Sequence, residues 1–256
     1  MPTAAGLYYF AHEANDHSRL PVILIHGAGG NHLSWPPQLR RLPDQRIFAP
    51  DLPAHGKSEG IGRHTIEDYV QDVLEFMSEL KIYSAILVGH SMGSAVALSA
   101  AIHFPKRVTA LGLIGSGARL RVAPALLHAS SDPSTFASAV QMINNAAFSS
   151  QSNRIKELST QRMMETRSTV LYGDLMACDA FDAMDQLSKL SLPTLIVCGL
   201  DDQMTPLGHS EFLREHITGA HLGVVPNAGH MVMLEQPDLV SGLLADFIDS
   251  IPYHPG

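Results

Sequence analysis

Three kinds of residue in this 256-residue chain could together perform acyl transfer: a serine between glycines, histidines in turns, and carboxylates just after apolar runs. Gly89-His90-Ser91-Met92-Gly93 is the first of these. The pattern G-x-S-x-G arises by chance about once in seven chains of this composition, so the pentapeptide is weak alone. Its surroundings strengthen it, because the strand-like "AILVGH" precedes Ser91 and the helix-like "GSAVALSAAIHF" follows it. A serine at such a junction takes a strained backbone, and the flanking glycines let strand and helix approach without a Cβ clash. The plainer reading is a tight turn that happens to contain serine.

A serine hydroxyl becomes a nucleophile at neutral pH only beside a base, and the base needs an orienting acid. With 14 histidines in the chain, a downstream histidine proves nothing by itself. His230 stands out because "PNAGHMVMLEQP" puts it in a glycine-containing loop between a strand-like run and the last helical segment. From there a side chain reaches over the carboxyl edge of a sheet. His26, His55 and His90 sit in other turns and read as structural. The remaining histidines, His17, His32 and His254 among them, read as surface or packing residues. The acid lies in "CGLDDQMTP", again directly after an apolar run, with Asp202 the first choice and Asp201 its neighbour.

These side chains need a sheet to converge on. The runs "PVILIHG" (21–27), "RIFAPD" (46–51), "AILVGH" (85–90) and "VTALGLIG" (108–115) are short and apolar without alternation, as strands buried on both faces must be. "PTLIVCGLDD" (193–202) and "AHLGVVPNAG" (220–229) restore the signal later. Helical patterns lie between. In "TIEDYVQDVLEFMSEL", Ile66, Val70, Val73, Met77 and Leu80 share a face, and Thr65 with Asp68 resembles a capping box. In the closing helix Leu239, Leu243, Phe247 and Ile248 share another. Residues 119–190 break the rhythm with polar helical stretches. The expected architecture is one doubly wound α/β domain, 1–118 with 191–256, carrying a helical cap at 119–190.

Composition narrows the function. Hydrophobic residues form 45% of the chain, enough for a large core, and the net charge of −8 without a basic stretch argues against nucleic acid. Cys178 and Cys198 are too few for a disulfide framework. No apolar stretch is long enough to span a bilayer, and "MPTAAGLYYFAHEANDH" lacks the features of a signal peptide, so a cytoplasmic protein is expected. No metal or cofactor is expected: H-E-x-x-H, zinc-spaced cysteines, G-x-G-x-x-G and the P-loop are all missing from the sequence. Nothing in the sequence specifies an oligomeric state.

Taken in register, the motifs resemble the α/β-hydrolase family, over most of the chain outside 119–190. The family's acid turn reads G-x-x-D with a proline four residues on; Gly199, Asp202 and Pro206 match it and favour Asp202 over Asp201. "HGAGG" (26–30) resembles the loop after the third strand. On that match the backbone N–H groups of Ala28 and Met92 would form an oxyanion hole. "DLPAHGKS" (51–58) resembles the loop after the fourth strand, where Asp51, Gly56 and Ser58 would be structural. Ser94 stands where many relatives have a further glycine. The order Ser91, Asp202, His230 is the family's.

The resemblance implies a serine hydrolase cleaving carboxylic esters of hydrophobic small molecules through an acyl-enzyme. If the insertion closes over the serine, Met142, Met163 and Met176 would line the pocket with Gly27, Gly29 and Met231. Methionines at helical spacing are more often core, and only their placement decides. The alternatives are carbon–carbon hydrolysis of ring-fission diketones, with Arg119, Arg121, Arg154, Arg162 and Arg167 as a cationic pocket, or enol-lactone hydrolysis. A hydrolase-fold ligand receptor is the non-enzymatic alternative.

Overall fold

The computed structural model describes residues 2–13, 19–150 and 152–252, so His17 and His254 fall outside it. It opens with an antiparallel pair that the apolar runs did not indicate, β1 (Thr3–Ala4) and β2 (Leu7–His12). The turn between them places Gly6 at φ +76°. The expected strands follow as β3 (Pro21–Ile25), β4 (Arg46–Pro50), β5 (Ala85–His90), β6 (Val108–Ile114), β7 (Thr194–Gly199) and β8 (Ala220–Val225). Each ends at or shortly before its turn residues. Every residue of β3, β5 and β7 is buried, which is why those runs are apolar without alternation.

One eight-stranded sheet results, in the order β1-β2-β4-β3-β5-β6-β7-β8. β2 pairs antiparallel with β4, and all pairings from β4 to β8 are parallel. The chain runs outward from β3 to β4 and then crosses back to β5 on the other side of β3. The loops leaving β3 and β5 therefore diverge and open a crevice at the carboxyl edge, the usual binding position in such sheets.

Helices cover both faces, and alternate residues of β3 show it. Ile23 and Ile25 enter one core with α2 (Ile66–Glu79) and α3 (Met92–His103). Val22 and Leu24 enter the other, with Leu39 of the short α1 (Pro37–Arg40). Val240 and Phe247 of the last helix, described below, join that second core. Residues Met92 to Ala101 of α3 are all buried, so this helix is apolar throughout rather than amphipathic. In α2 the expected face is buried. The cap is half a capping box: Thr65 Oγ1 accepts the Asp68 amide at 3.2 Å, but the Asp68 carboxylate takes the Thr65 hydroxyl at 2.7 Å, not its backbone N–H.

Between β6 and β7 the chain leaves the sheet through α4 (Pro124–Ser131), α5 (Phe136–Ala147), α6 (Asn153–Met164) and α7 (Ser168–Ala180). Their root is closed by an isolated bridge between Arg119 and Asp182. Leu126, Phe136, Val140, Ile143, Leu171 and Leu175 give these helices a small core of their own. The chain ends through α8 (Leu207–His216), α9 (Val232–Glu235) and α10 (Pro237–Ser250). The buried face of α10 is Val240, Leu244, Phe247 and Ile248: Phe247 and Ile248 are buried as expected, but Leu239 is 52% exposed and Leu243 only half-buried, and Val240 and Leu244 take their places. Adjacent leucines differ by about 100° in helix phase, and the docking of the helix, not its composition, chose between them.

Glycine is required where α3 meets the sheet: a Cβ on Gly93 would lie 2.1 Å from the Ile25 carbonyl oxygen. No flexible side chain can yield there, because the obstacle is backbone. Gly93→Ala is expected to cost about 3 kcal/mol or more. Gly242→Ala, with open space around it in α10, should stabilise by up to about 1 kcal/mol. Urea unfolding of the two variants checks both signs.

Candidate active site

Ser91 sits between the end of β5 and the start of α3 at φ 53°, ψ −118°. A non-glycine residue is strained there. The strain is held in place from several sides. The Ser91 amide donates to Ile114 O at 2.9 Å, and the Ser91 carbonyl accepts Ser94 N–H at 2.9 Å and the Ser94 hydroxyl at 2.6 Å. Ser94 Oγ also lies within hydrogen-bond distance of Ser116 Oγ, at 2.7 Å. Ser94 thus ties down the turn. Gly89 is needed as much as Gly93, since its Cβ would meet Gly93 O at 2.1 Å.

The loop after β3 lies directly on this turn. A Cβ at Gly27 would approach the Ser91 Cβ to 3.2 Å and His90 Nδ1 to 2.9 Å. Ala28 follows, and neither its amide nor that of Met92 has an acceptor among the described residues. Two N–H groups beside one hydroxyl, one of them in the first turn of α3, can stabilise developing negative charge.

His230 comes to the same place from the far side of the sheet. Its ring packs against Gly115, whose Cβ would lie 3.1 Å from His230 Nδ1 and Cε1, and Gly115 follows the residue that holds the Ser91 amide. The His90 and His230 rings are 4.8 Å apart. Nδ1 of His230 bonds Asp202 Oδ2 at 2.8 Å and lies 3.2 Å from Thr205 Oγ1, while its Nε2 is buried with no partner. Asp202 is almost fully buried and accepts the amides of Met204 and Thr205 and the Thr205 hydroxyl. Burial alone would raise its pKa, but the facing His230 and the Thr205 bonds outweigh it and hold the carboxyl below its ordinary range. The neighbouring Asp201 is exposed, and its amide bonds Ala228 O at 2.9 Å, joining the loop after β7 to the loop that carries His230.

A cavity of about 780 Å³ lies between the sheet edge and the inserted helices. Gly27, Ala28, Gly29, Ser91, His230 and Met231 form its floor. Met142 and Met163 line it as expected, together with Met184 and Met204. Met176 does not and is 37% exposed: α7 turns Leu175 and Cys178 to the cavity, and Met176 is about 200° around the helix from Cys178. Of the five arginines, Arg119 and Arg121 reach the wall, and both are paired with Asp182, at 3.5 and 3.3 Å. Arg162 and Arg167 bond the carbonyls of Leu33 and Gly60, and Arg154 is not on the wall.

Sequence reasoning missed the carboxylates that hold the loops. Glu235 accepts the amides of Gly229 and Ser149, so it ties the His230 loop to the end of α5; Met231 N–H adds a bond to Ala147 O. Asp174 of α7, fully buried, accepts Gly29 N–H, a proton from His55 Nε2 and the Tyr69 hydroxyl. The signal for Asp174 was present: it stands at an inward position of the α7 period, between Leu171 and Cys178. Asp51, Gly56 and Ser58 are structural as expected. Asp51 accepts the His32 and Lys57 amides and the His32 ring, Ser58 Oγ donates to its carbonyl, and Gly56 at φ +49° leaves room for its carboxylate. Among the described residues no group of three or more histidine, cysteine, aspartate or glutamate side chains could hold a metal ion.

The two buried histidines beside the site are neutral. His26 Nε2 accepts Leu52 N–H at 3.0 Å while Nδ1–H donates to Gly27 O at 2.9 Å, which leaves no acceptor for a second proton. Burial first, then neighbouring His55, brings its pKa down to about 4. Burial and then His230 bring His90 to about 3. Both values lie below the unfolded value of about 6.5, so below that pH the unfolded chain takes up protons the native state refuses. Stability should therefore fall as the pH drops from 6 to 4, by at most about 1 kcal/mol per pH unit for each histidine. Chemical unfolding across that window checks the slope, and His90→Gln, which keeps a donor for His230 O, should roughly halve it.

No helix among the described residues is long and apolar enough to cross a membrane. A family profile described as "Alpha/beta hydrolase family" matches residues 22–243. The chain is 25% identical over 237 residues to 3-oxoadipate enol-lactonase 1 of Acinetobacter baylyi, covering 90% of this chain and 89% of that one. It is 29% identical over 267 residues to 2-hydroxy-6-oxo-6-phenylhexa-2,4-dienoate hydrolase of Burkholderia cepacia, covering 95% and 93%. A thermophilic esterase from Thermogutta terrifontis superposes with a TM-score of 0.86 at 25% identity, over 96% of this chain and 93% of that one. The strained serine turn, the mostly parallel sheet and a profile match across nearly the whole chain agree: this chain belongs to the alpha/beta hydrolase family.

Proposed function

We propose that this hydrolase cleaves carboxylic esters of uncharged, largely apolar small molecules through a covalent acyl-enzyme. The observation that carries the proposal is Ser91, strained at φ 53° in the wall of a cavity it shares with His230, whose Nδ1 is held by buried Asp202. In the reaction His230 Nε2 takes the Ser91 proton as the hydroxyl oxygen attacks the ester carbonyl. The Ala28 and Met92 amides receive the negative oxygen, and His230 returns the proton to the departing alcohol. Water, deprotonated by the same histidine, then releases the acid and restores Ser91. Asp202 keeps the proton on Nδ1 and stabilises the imidazolium.

The cavity argues for the substrate's character. Methionine and leucine dominate its upper wall, and the two arginines that reach it share the single Asp182 carboxylate. Such a wall favours an apolar acyl or aryl group. A ring-fission diketone, whose carboxylate could meet the two arginines that share Asp182, is a further reading, favoured by the relative named for a dienoate hydrolase. Enol-lactone opening is the second reading, favoured by the enol-lactonase relative; a lactone is a cyclic ester, and the same proton transfers serve it. A hydrolase-fold receptor would bind such molecules without turnover.

Initial rates on a series of nitrophenyl esters, run beside an enol-lactone, test the proposal. Ser91→Ala should lose at least about 10⁴-fold in kcat with the fold intact, and Asp202→Asn about 10³- to 10⁴-fold. Asp201→Asn should stay within about twofold. Wild-type rates in Ser91→Ala would refute the mechanism.

A further inference from the structure

We propose that Asp174 and Thr166, both from the inserted segment, are positioning residues that aim the Ala28 amide by holding the Gly29 backbone from both ends. The inference rests on the reading of Ala28 N–H as an oxyanion donor, and it assigns to the inserted helices a part in the chemistry beyond lining the cavity.

An amide points where its two flanking peptide planes allow. The Ala28 N–H belongs to the Gly27–Ala28 peptide, whose carbonyl accepts Gly30 N–H at 3.0 Å and His26 Nδ1–H at 2.9 Å. That plane is fixed from within the sheet domain. The next plane, Ala28–Gly29, is fixed from the insertion: its N–H donates to Asp174 Oδ2 at 2.8 Å. The third, Gly29–Gly30, is held at its carbonyl by the Thr166 hydroxyl at 3.1 Å. Gly29 itself is at φ +63°, and a Cβ there would lie 3.1 Å from Leu171 Cδ1 and 3.3 Å from Met163 Cγ. The loop backbone thus runs between α6 and α7 without slack.

Asp174 is suited to orienting because its own position is over-determined. Besides Gly29 it accepts His55 Nε2–H at 2.8 Å and the Tyr69 hydroxyl. The other nitrogen of His55 faces the Pro53 carbonyl at 3.0 Å, so the ring stands between two acceptors and carries protons on both nitrogens. A buried imidazolium facing a buried carboxylate adds little net stability over an apolar pair, but it fixes geometry. On the far side of α7, Gly173 lies against the Arg63 carbonyl, where a Cβ would come to 2.6 Å, so the helix cannot slide to relieve the bond. If the inserted helices lift, the Ala28–Gly29 and Gly29–Gly30 planes lose their anchors, and the plane that carries the Ala28 N–H is then held from the Gly27 side only.

Kinetics separate this role from simple packing. Thr166 is half-buried and carries no charge, so Thr166→Val leaves the fold intact and serves if Asp174→Asn does not fold. Thr166→Val should lower kcat on a nitrophenyl ester about tenfold with KM within about twofold, and Thr166→Ser should restore it. Asp174→Asn should lower kcat about thirtyfold or more. Affinity for an aryl trifluoromethyl ketone, which forms a tetrahedral adduct with the serine, should fall in parallel with kcat. Unchanged kcat in a folded Thr166→Val protein, or losses confined to KM, would overturn the inference while leaving Ser91-dependent turnover untouched. Wild-type protein without Ser91-dependent turnover would overturn the functional reading, and this inference with it.

Discussion

The backbone contact between Gly93 and the Ile25 carbonyl is the constraint on which the site depends. It brings the first turn of α3 onto the end of β3 at a distance that excludes any side chain. From that contact follows the placement of the loop after β3, with Gly27 lying against Ser91, and the emergence of Ala28 beside Met92. The sheet order makes this possible because β3 and β5 are neighbours whose loops diverge. The left-handed conformation of Ser91 is what remains when a strand must become a helix within so little space. Its cost, of order 1–3 kcal/mol, is borne by the cores on both faces of the sheet.

The inserted helices complete what the sheet begins. They touch the loop after β3 through Asp174 and Thr166, and the His230 loop through Ser149 and Ala147. Both loops are irregular segments at the sheet edge that would otherwise rest on few contacts. Two carboxylates, the buried Asp174 from the insertion and the half-buried Glu235 from α9, bond amides of the two loops. The same carboxylates leave the cavity between them apolar, since their charge is spent on backbone and histidine.

Much of the fold and the candidate site could be read from the sequence, for a physical reason. Strands buried on both faces are written as uninterrupted apolar runs, and Ser91 and Asp202 each sit just beyond one; His230 follows β8, which was expected to be such a strand but lies at the sheet edge and is only partly buried. Their spacing survives in a linear reading because each needs only its own loop. Residues whose role depends on a partner far along the chain were not readable. Asp174 shows itself as a carboxylate on an inward helix face, but Gly29 is 145 positions away. Helix phase was the other failure. Met176 and Leu239 were each assigned to a face that the docking of their helices turns outward, and neither periodicity nor composition distinguishes adjacent apolar residues on a loosely patterned helix. The β1–β2 pair was missed because β1 has only two residues and β2, half-buried along nearly its whole length, is not an uninterrupted apolar run.

The central claim is that Ser91 is the nucleophile of this hydrolase, and reaction with a fluorophosphonate tests it most directly. The account predicts a single covalent adduct per folded chain, mapped by mass spectrometry of the digested protein to the peptide containing Ser91 and absent from heat-unfolded protein. A folded chain that stays unlabelled under conditions that label other serine hydrolases, or that carries its adduct on another residue, would contradict it.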